Sequence, residues 1–231
     1  MSERIILTLA VLGGTGKEGG GLAYRWARAG YLVIIGSRSA ERAQKAASEL
    51  NAKVGGESVR GLENAEAAAQ CDIAVLTVPY EAHRGTLESV RAQLQGKVLV
   101  DVTVPIRPPK LTVLSLPPEG SASLEARAVL GDGVRVVAAF HNVSHVHLNR
   151  DGPIACDVLV AGDTPEARQQ VLHLVEAAGM VGWDAGPLEN AVVVEGLTPI
   201  LMGINKRYGL RAAGIRITGE PRSAEGPAPQ P

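Results

Sequence analysis

Aromatic residues are scarce in this chain. One Phe, two Trp and four Tyr amount to 3% of 231 residues, while hydrophobic residues reach 45%. A chain of this length can bury a sizeable core. With so few rings that core must be aliphatic and Ala-rich, as in α/β proteins whose strands run through Val, Ile and Leu. Cysteine is scarcer still. Cys71 and Cys156 lie far apart, show no metal-ligand spacing and each sits beside an Asp at the start of an apolar run, so both are expected as buried free thiols. A net charge of −1 gives no field for nucleic acid or for an anionic membrane surface. No run approaches the roughly 18 consecutive apolar residues of a membrane span. The apolar run from Ile5 to Leu12 follows Glu3, lacks a basic flank and enters a glycine loop directly, which makes it a first strand rather than a secretory signal. These absences point to a cytoplasmic protein of one large domain, or of a main domain with a small companion.

What the chain does have is that glycine loop, Val11-Leu12-Gly13-Gly14-Thr15-Gly16-Lys17-Glu18-Gly19. Gly14, Gly16 and Gly19 stand in Gly-x-Gly-x-x-Gly spacing between a buried-strand pattern and an amphipathic stretch from Leu22 to Ala29. In a dinucleotide site the first glycine allows the tight turn and the second lets the backbone approach a pyrophosphate. The third lets helix and strand pack closely, and the helix N-terminus offers unpaired N–H groups to the anion.

Strand and helix patterns then alternate. Tyr31–Ile35, a short stretch within Val54–Gly61, Asp72–Pro79, Lys97–Val102 and Gly133–Ala139 read as strands, and Ala40–Leu50 (capped by Ser39), Leu62–Gln70 and Tyr80–Leu94 as helices. Such alternation builds a Rossmann-type, doubly wound, mostly parallel sheet. Val104 to Ala122 holds five prolines, has no clear period and reads as an ordered surface excursion. Beyond about residue 150 a strand (Cys156–Ala161), a helix from Pro165 to about Ala178 and a short strand (Met180–Asp184) suggest a smaller C-terminal α/β domain. The expected division is 1–150 for the dinucleotide domain, 151–219 for a small domain closing the cleft, and 220–231 for a disordered tail rich in Pro, Ser, Ala and Gly. Leu188 to Tyr208 is apolar nearly all round and interrupted by Pro199, so it is expected to be buried on several sides, against the first domain, a second subunit or a flat ligand.

The end of the second strand selects the dinucleotide. Gly36-Ser37-Arg38-Ser39 carries no acid to accept ribose hydroxyls. Ser37 offers a hydroxyl and Arg38 a planar fork suited to a dianionic 2′-phosphate, with Arg42 one helical turn away. NADP(H) is therefore expected over NAD(H).

With these residues assembled, the chain resembles the NADPH-dependent coenzyme F-420 (F420) reductase family, up to about Gly219. F420 is an 8-hydroxy-5-deazaflavin. The resemblance is carried by Leu12–Gly16 with Gly36-Ser37-Arg38, by Cys71–Pro79, by Ala138-Ala139-Phe140-His141-Asn142-Val143, by Asp184–Asn190 with Glu195-Gly196-Leu197-Thr198-Pro199, and by Ala213–Gly219. It implies hydride transfer between NADPH and F420. It further implies that Gly14, Thr15, Gly16, Lys17 and Glu18 lie along the pyrophosphate, that Ser37, Arg38 and Arg42 hold the 2′-phosphate, and that Val78 and Pro79 line the dinucleotide. His141, Val143 and His145 would surround the nicotinamide, with Ala213 closing the site and His141 orienting rather than acting as an obligate acid. One local departure is the charged, Gly-rich turn Lys17-Glu18-Gly19-Gly20-Gly21, where Glu18 suits an anion site only if it points to solvent.

Both cofactors move two electrons together, so no metal is required and the protein supplies positioning and a dry slot. His141, His145 and His147 as a metal cluster is the weaker reading, since no Cys or Glu partner has suitable spacing and Asp151 stands alone. His83 and His173 fall on polar helix faces and are expected to be solvated. Lys206, Arg207, Arg211 and Arg216 are candidates for holding the polyglutamate tail of F420, and a homodimer is expected from the apolar Leu188–Tyr208 stretch. The alternatives are an NADPH-dependent reductase of another acceptor (flavin, ferric ion or imine) and a non-catalytic NADPH-sensing module.

Overall fold

In the computed structural model, residues 7–219 are described, and within them eight strands form one sheet flanked on both faces by helices. The sheet is built from β1 (Thr8–Leu12), β2 (Leu32–Ser37), β3 (Val59–Glu63), β4 (Ile73–Leu76) and β5 (Val98–Asp101), joined through α1 (Lys17–Arg28), α2 (Ala40–Val54), α3 (Asn64–Ala69) and α4 (Tyr80–Val90). Every pairing among these five strands is parallel. Burial on both faces explains the apolar runs of β1, β2, β4 and β5, whereas β3, at the edge of the sheet, carries Arg60 and Glu63. Side chains of a strand alternate between faces, so Leu9 and Val11 join the core under α1 and α2 while Ala10 and Leu12 join the core under α3 and α4.

The proline-rich excursion holds more structure than its sequence suggests. Ile106–Arg107 (β6) and Lys110–Leu114 (β7) form an antiparallel hairpin, and α5 (Ala122–Leu130) follows, its N-terminus capped by Ser121, whose Oγ accepts from the Leu124 N–H at 3.0 Å. Strand β8 (Arg135–Ala138) then pairs parallel with β5.

From β8 the chain turns back at the carboxyl edge through the single helical turn α6 (His145–Leu148). With no crossover helix to return it to the other edge, β9 (Asp157–Gly162) runs antiparallel to β8. Helix α7 (Pro165–Ala177) starts with Thr164 as N-cap and Pro165 in its first turn, and it returns the chain for β10 (Val181–Asp184), parallel to β9. The strand order is β10-β9-β8-β5-β4-β1-β2-β3. The division expected near residue 150 falls just after α6, and the strands beyond it extend the same sheet.

A 3-10 turn (Leu188–Asn190) leads into α8 (Ala191–Tyr208), which continues through Pro199 without breaking. Within this chain α8 is buried on one side: Val194, Glu195 and Leu201 are buried, whereas Val193 and Ile200 are 63% and 56% exposed. Cys71 and Cys156 are buried free thiols. Trp26 of α1 and Phe140, in the loop after β8, meet edge to face at 5.7 Å, a contact where rings replace aliphatic packing. Ile5, Ile6 and the tail from 220 lie outside the described residues.

Candidate functional site

The β1–α1 turn is shaped by close approach. Gly13 adopts φ +75°, and a Cβ there would stand 2.5 Å from Val78 Cγ1. A Cβ on Gly19 would collide with the Thr77 side chain, so the third glycine of the motif lets α1 lie against β4. Gly16, the N-cap residue, has no side chain with which to cap α1. The N–H groups of its first turn therefore remain free to bind an anion.

A cleft of about 910 Å³ runs along the carboxyl ends of β1, β2, β4 and β5. One end is polar and basic, formed by Thr15, Gly16, Lys17, Glu18, Ser37, Arg38 and Arg42. The other is largely apolar, formed by Val78, Pro79, Val102, Val104, Ile106, Pro108 and Leu111, with Tyr80 beside them. The β6–β7 hairpin thus supplies one wall, and the Arg107 guanidinium lies 5.4 Å from the centre of the Tyr80 ring. Arg38 and Arg42 are exposed and form no ion pair among the described residues, which leaves their charge available to a phosphate.

Five of the expected site residues are not on this wall. Gly14 is buried beneath the turn, its N–H shared by the carbonyls of Val11 and Gly36 at 3.1 Å each. His141 is buried after Phe140, whose φ of +68° is unusual for a bulky residue. Both ring nitrogens of His141 are sealed without a hydrogen-bond partner. Burial holds its pKa down to about 4, against Asp101 and the Thr103 backbone, so the imidazole is neutral. Val143 packs in the aliphatic core, and His145 opens α6, opposite the start of α1. The Ala213 N–H donates to Asn205 Oδ1 at 3.1 Å, in the segment after α8. His147 Nε2 lies 3.0 Å from the Ala212 carbonyl, which occupies one nitrogen of the trio considered for metal.

Two expectations about charged groups require correction. Glu18 does not simply point to solvent. It is half-buried on the cleft wall with Oε1 sealed and unpartnered, and burial pushes its carboxyl up to about 8, with the His145 backbone N–H opposing. A carboxyl that stays neutral at pH 7 removes the conflict with an anion site. His83 is not solvated either. It is 0% exposed, with Nε2 2.8 Å from Asp101 and Nδ1 3.1 Å from Glu125. Its polar helix face meets polar partners inside the protein, a match that helical periodicity cannot distinguish from exposure. His173 is exposed, as expected.

Sequence reasoning gave no role to Asn64, Tyr80, Thr103 or the hairpin residues that also line the cleft. The proline spacing hid the hairpin, and a single Asn or Thr beyond a strand carries no readable signal.

The comparisons with known proteins agree with this geometry. Residues 8–105 match the family described as NADP oxidoreductase, coenzyme F420-dependent. The F420-dependent NADP reductase of Methanothermobacter thermautotrophicus is 43% identical over 229 residues, covering 96% of this chain and 99% of that protein. The chain belongs to the coenzyme F420-dependent NADP oxidoreductase family. The family member of the same name from Methanocaldococcus jannaschii is 39% identical, covering 92% of this chain and 98% of that protein. A solved structure from Arthrobacter sp. FB24, proposed to be an F420-dependent NADP reductase, shares the family fold with a TM-score of 0.77 at 23% identity, covering 92% of this chain and all of that one. No helix among the described residues is long and apolar enough to cross a membrane.

Two outcomes follow from the polar end of the cleft. Arg38→Ala should weaken NADPH binding by about ten- to a hundredfold, the loss of a charge-assisted contact worth roughly 1.5–3 kcal/mol, and leave NADH binding nearly unchanged. Equal losses for both dinucleotides in a titration would show that Arg38 does not read the phosphate. Glu18 is neutral below its raised pKa and ionises as pH rises through about 8, placing a negative charge in the phosphate site. The KM for NADPH should therefore climb by about tenfold between pH 7 and pH 9. Glu18→Gln should flatten that climb, and an unchanged profile in the variant would assign it to another group.

Proposed function

We propose that the protein transfers a hydride between NADPH and F420. The observation that carries this reading is the two-ended cleft: one continuous space of about 910 Å³ with a dinucleotide-binding turn and free arginines at one end and an apolar wing at the other. That volume lies near the top of the roughly 300–1,000 Å³ range of ligand pockets, which favours two partners meeting in one space. When bound, the reduced nicotinamide supplies the hydride and the deazaflavin accepts it.

The chain's own residues bind and orient. The first turn of α1, with Thr15, Gly16 and Lys17, holds the pyrophosphate, and Ser37, Arg38 and Arg42 hold the 2′-phosphate. Val78, Pro79, Val102, Val104, Ile106 and Leu111 exclude water and offer a flat surface on which rings meet at roughly 3–3.5 Å. His141, beside Asp101 and Thr103, supports this floor from behind, Val143 and His145 lie nearer α1, and residues 151–219, Ala213 included, close the site. No wall residue is needed as an acid or base, because the reaction proper is the cofactors'.

The exposed Val193 and Ile200 of α8, beside Leu111 and Val113 of β7, form an apolar face that favours a homodimer, and sedimentation at twice the chain mass tests it. The neutral charge balance and aliphatic composition favour a cytoplasmic location. The direct test of the function is spectroscopic. NADPH should bleach the visible absorbance of F420 when the protein is added. Turnover with free flavin, ferric ion or a cyclic imine and none with F420 would move the assignment to another acceptor. NADPH binding with no turnover on any acceptor would make the protein a sensing module.

A further inference from the structure

Strand β5 ends at the floor of the cleft, and its last residue, Asp101, is a fully buried carboxylate. Asp101 Oδ1 accepts the Thr103 N–H at 3.0 Å, and the Thr103 hydroxyl donates to the Val78 carbonyl at 3.3 Å. Thr103 and Val78 both line the cleft, so one carboxylate fixes the point where the chains leaving β4 and β5 form its apolar wing.

The other oxygen of Asp101 lies 2.8 Å from His83 Nε2, and His83 Nδ1 lies 3.1 Å from Glu125 Oε2. A neutral imidazole has one N–H and can donate to one carboxylate only; the imidazolium donates to both. The chain of contacts continues outward, for Arg84 Nε donates to Glu125 Oε1 at 3.0 Å, and Arg84 is half exposed and reaches Glu119. Glu125 is thereby compensated from the surface side, whereas among the described residues His83 is the side chain that hydrogen-bonds Asp101.

We infer that His83, clamped between Asp101 and Glu125, is a positioning residue for hydride transfer: it holds Asp101, and through Asp101 the Thr103–Val78 junction, in the arrangement that sets the apolar wing of the cleft. The inference rests on the proposed reaction. A buried ion chain is a poor source of net stability, since well-packed apolar residues of similar volume serve as well or better. A role in fixing geometry accounts for keeping it directly under the reacting end.

Several charged groups surround His83. Asp101 faces it from β5 and Glu125 from α5, with Arg84 behind Glu125. The Tyr80 ring lies 5.9 Å away on its own helix, and the field of Asp101 reaches His141 after β8 and Glu195 on α8. Burial opposes the charge on His83, but the two carboxylates outweigh it and raise the pKa, while His83 holds Asp101 below the usual carboxylate range despite burial. A raised histidine pKa keeps the clamp closed below the raised value and opens it as pH rises through that value.

The test combines kinetics with a readout that needs no turnover. In NMR spectra the His83 ring should titrate with a midpoint above that of an ordinary histidine; a midpoint at or below the ordinary value overturns the clamp whether or not F420 is the acceptor. In kinetics with NADPH and F420, kcat should fall on the alkaline side for the native protein. His83→Gln should lower kcat about tenfold, remove that alkaline fall, and leave the NADPH dissociation constant within about twofold. Glu125→Gln, a milder change, should move the alkaline fall to lower pH by withdrawing one of the two carboxylates. A His83→Gln profile that keeps the native alkaline fall, or kcat and NADPH affinity declining together, overturns the positioning role. Absence of F420 reduction by the native protein, with the raised His83 midpoint present, contradicts the reaction and not the clamp.

Discussion

A parallel sheet must be covered on both faces, and in this chain that requirement orders nearly everything else. Each strand from β1 to β5 has to be followed by a connection that returns across a face to the opposite edge, and the short turns leaving the strands then collect at one edge. The cleft lies at that edge because the strand ends are there. Gly13 and Gly19 let the first turn and α1 come close enough to β4 that backbone N–H groups face the cleft. Had α1 been held off by a side chain at residue 19, the same loop would be a surface turn with no anion site.

The second constraint concerns polar groups placed where the sheet is dry. Glu195 on α8 is fully buried and accepts from the Ala122 N–H, the Ser123 N–H and the Ser123 hydroxyl, each at 2.9 Å. These donors sit at the N-terminus of α5, so one carboxylate ties the last helix to the strap behind the hairpin. Burial and the Asp101 charge push its carboxyl up to about 7 in spite of the donors. Asp101, His83 and Glu125 occupy the layer between this tie and the cleft floor. The apolar wing is thus held from below by hydrogen-bonded charges and not by packing alone, which restricts how far its walls can shift.

Much of this was legible in the sequence, for reasons that can be named. Runs such as Val33–Ile35 and Ile73–Leu76 were readable as strands because short, β-branched apolar runs bounded by turn signals fit a strand buried on both faces better than a helix. Ser37 and Arg38 were readable as cleft residues because their place is set by the length of a βαβ unit. The hairpin and α5 were hidden by prolines that break the periodicity, although Ser121 is an ordinary cap in retrospect. The reversal at β9 depends on how the chain turns through α6, which no local pattern encodes. His83 was misread because amphipathicity reports only that a face is polar, and the partners that bury it come from β5 and α5. Glu18 was the reverse case: its residue type was awkward for the site, and only its sealed environment shows how the awkwardness is relieved.

The central claim is that the two ends of one cleft bring two cofactors into direct contact. The measurement closest to it is mass analysis of F420 after reduction by NADPH deuterated at the transferring C4 position, in ordinary water with this protein as the sole catalyst. The account predicts reduced F420 carrying one deuterium retained on carbon, with a primary isotope effect on the rate of bleaching. Reduction that leaves the label in solvent, or that proceeds without deuterium reaching F420, would contradict direct transfer within the cleft.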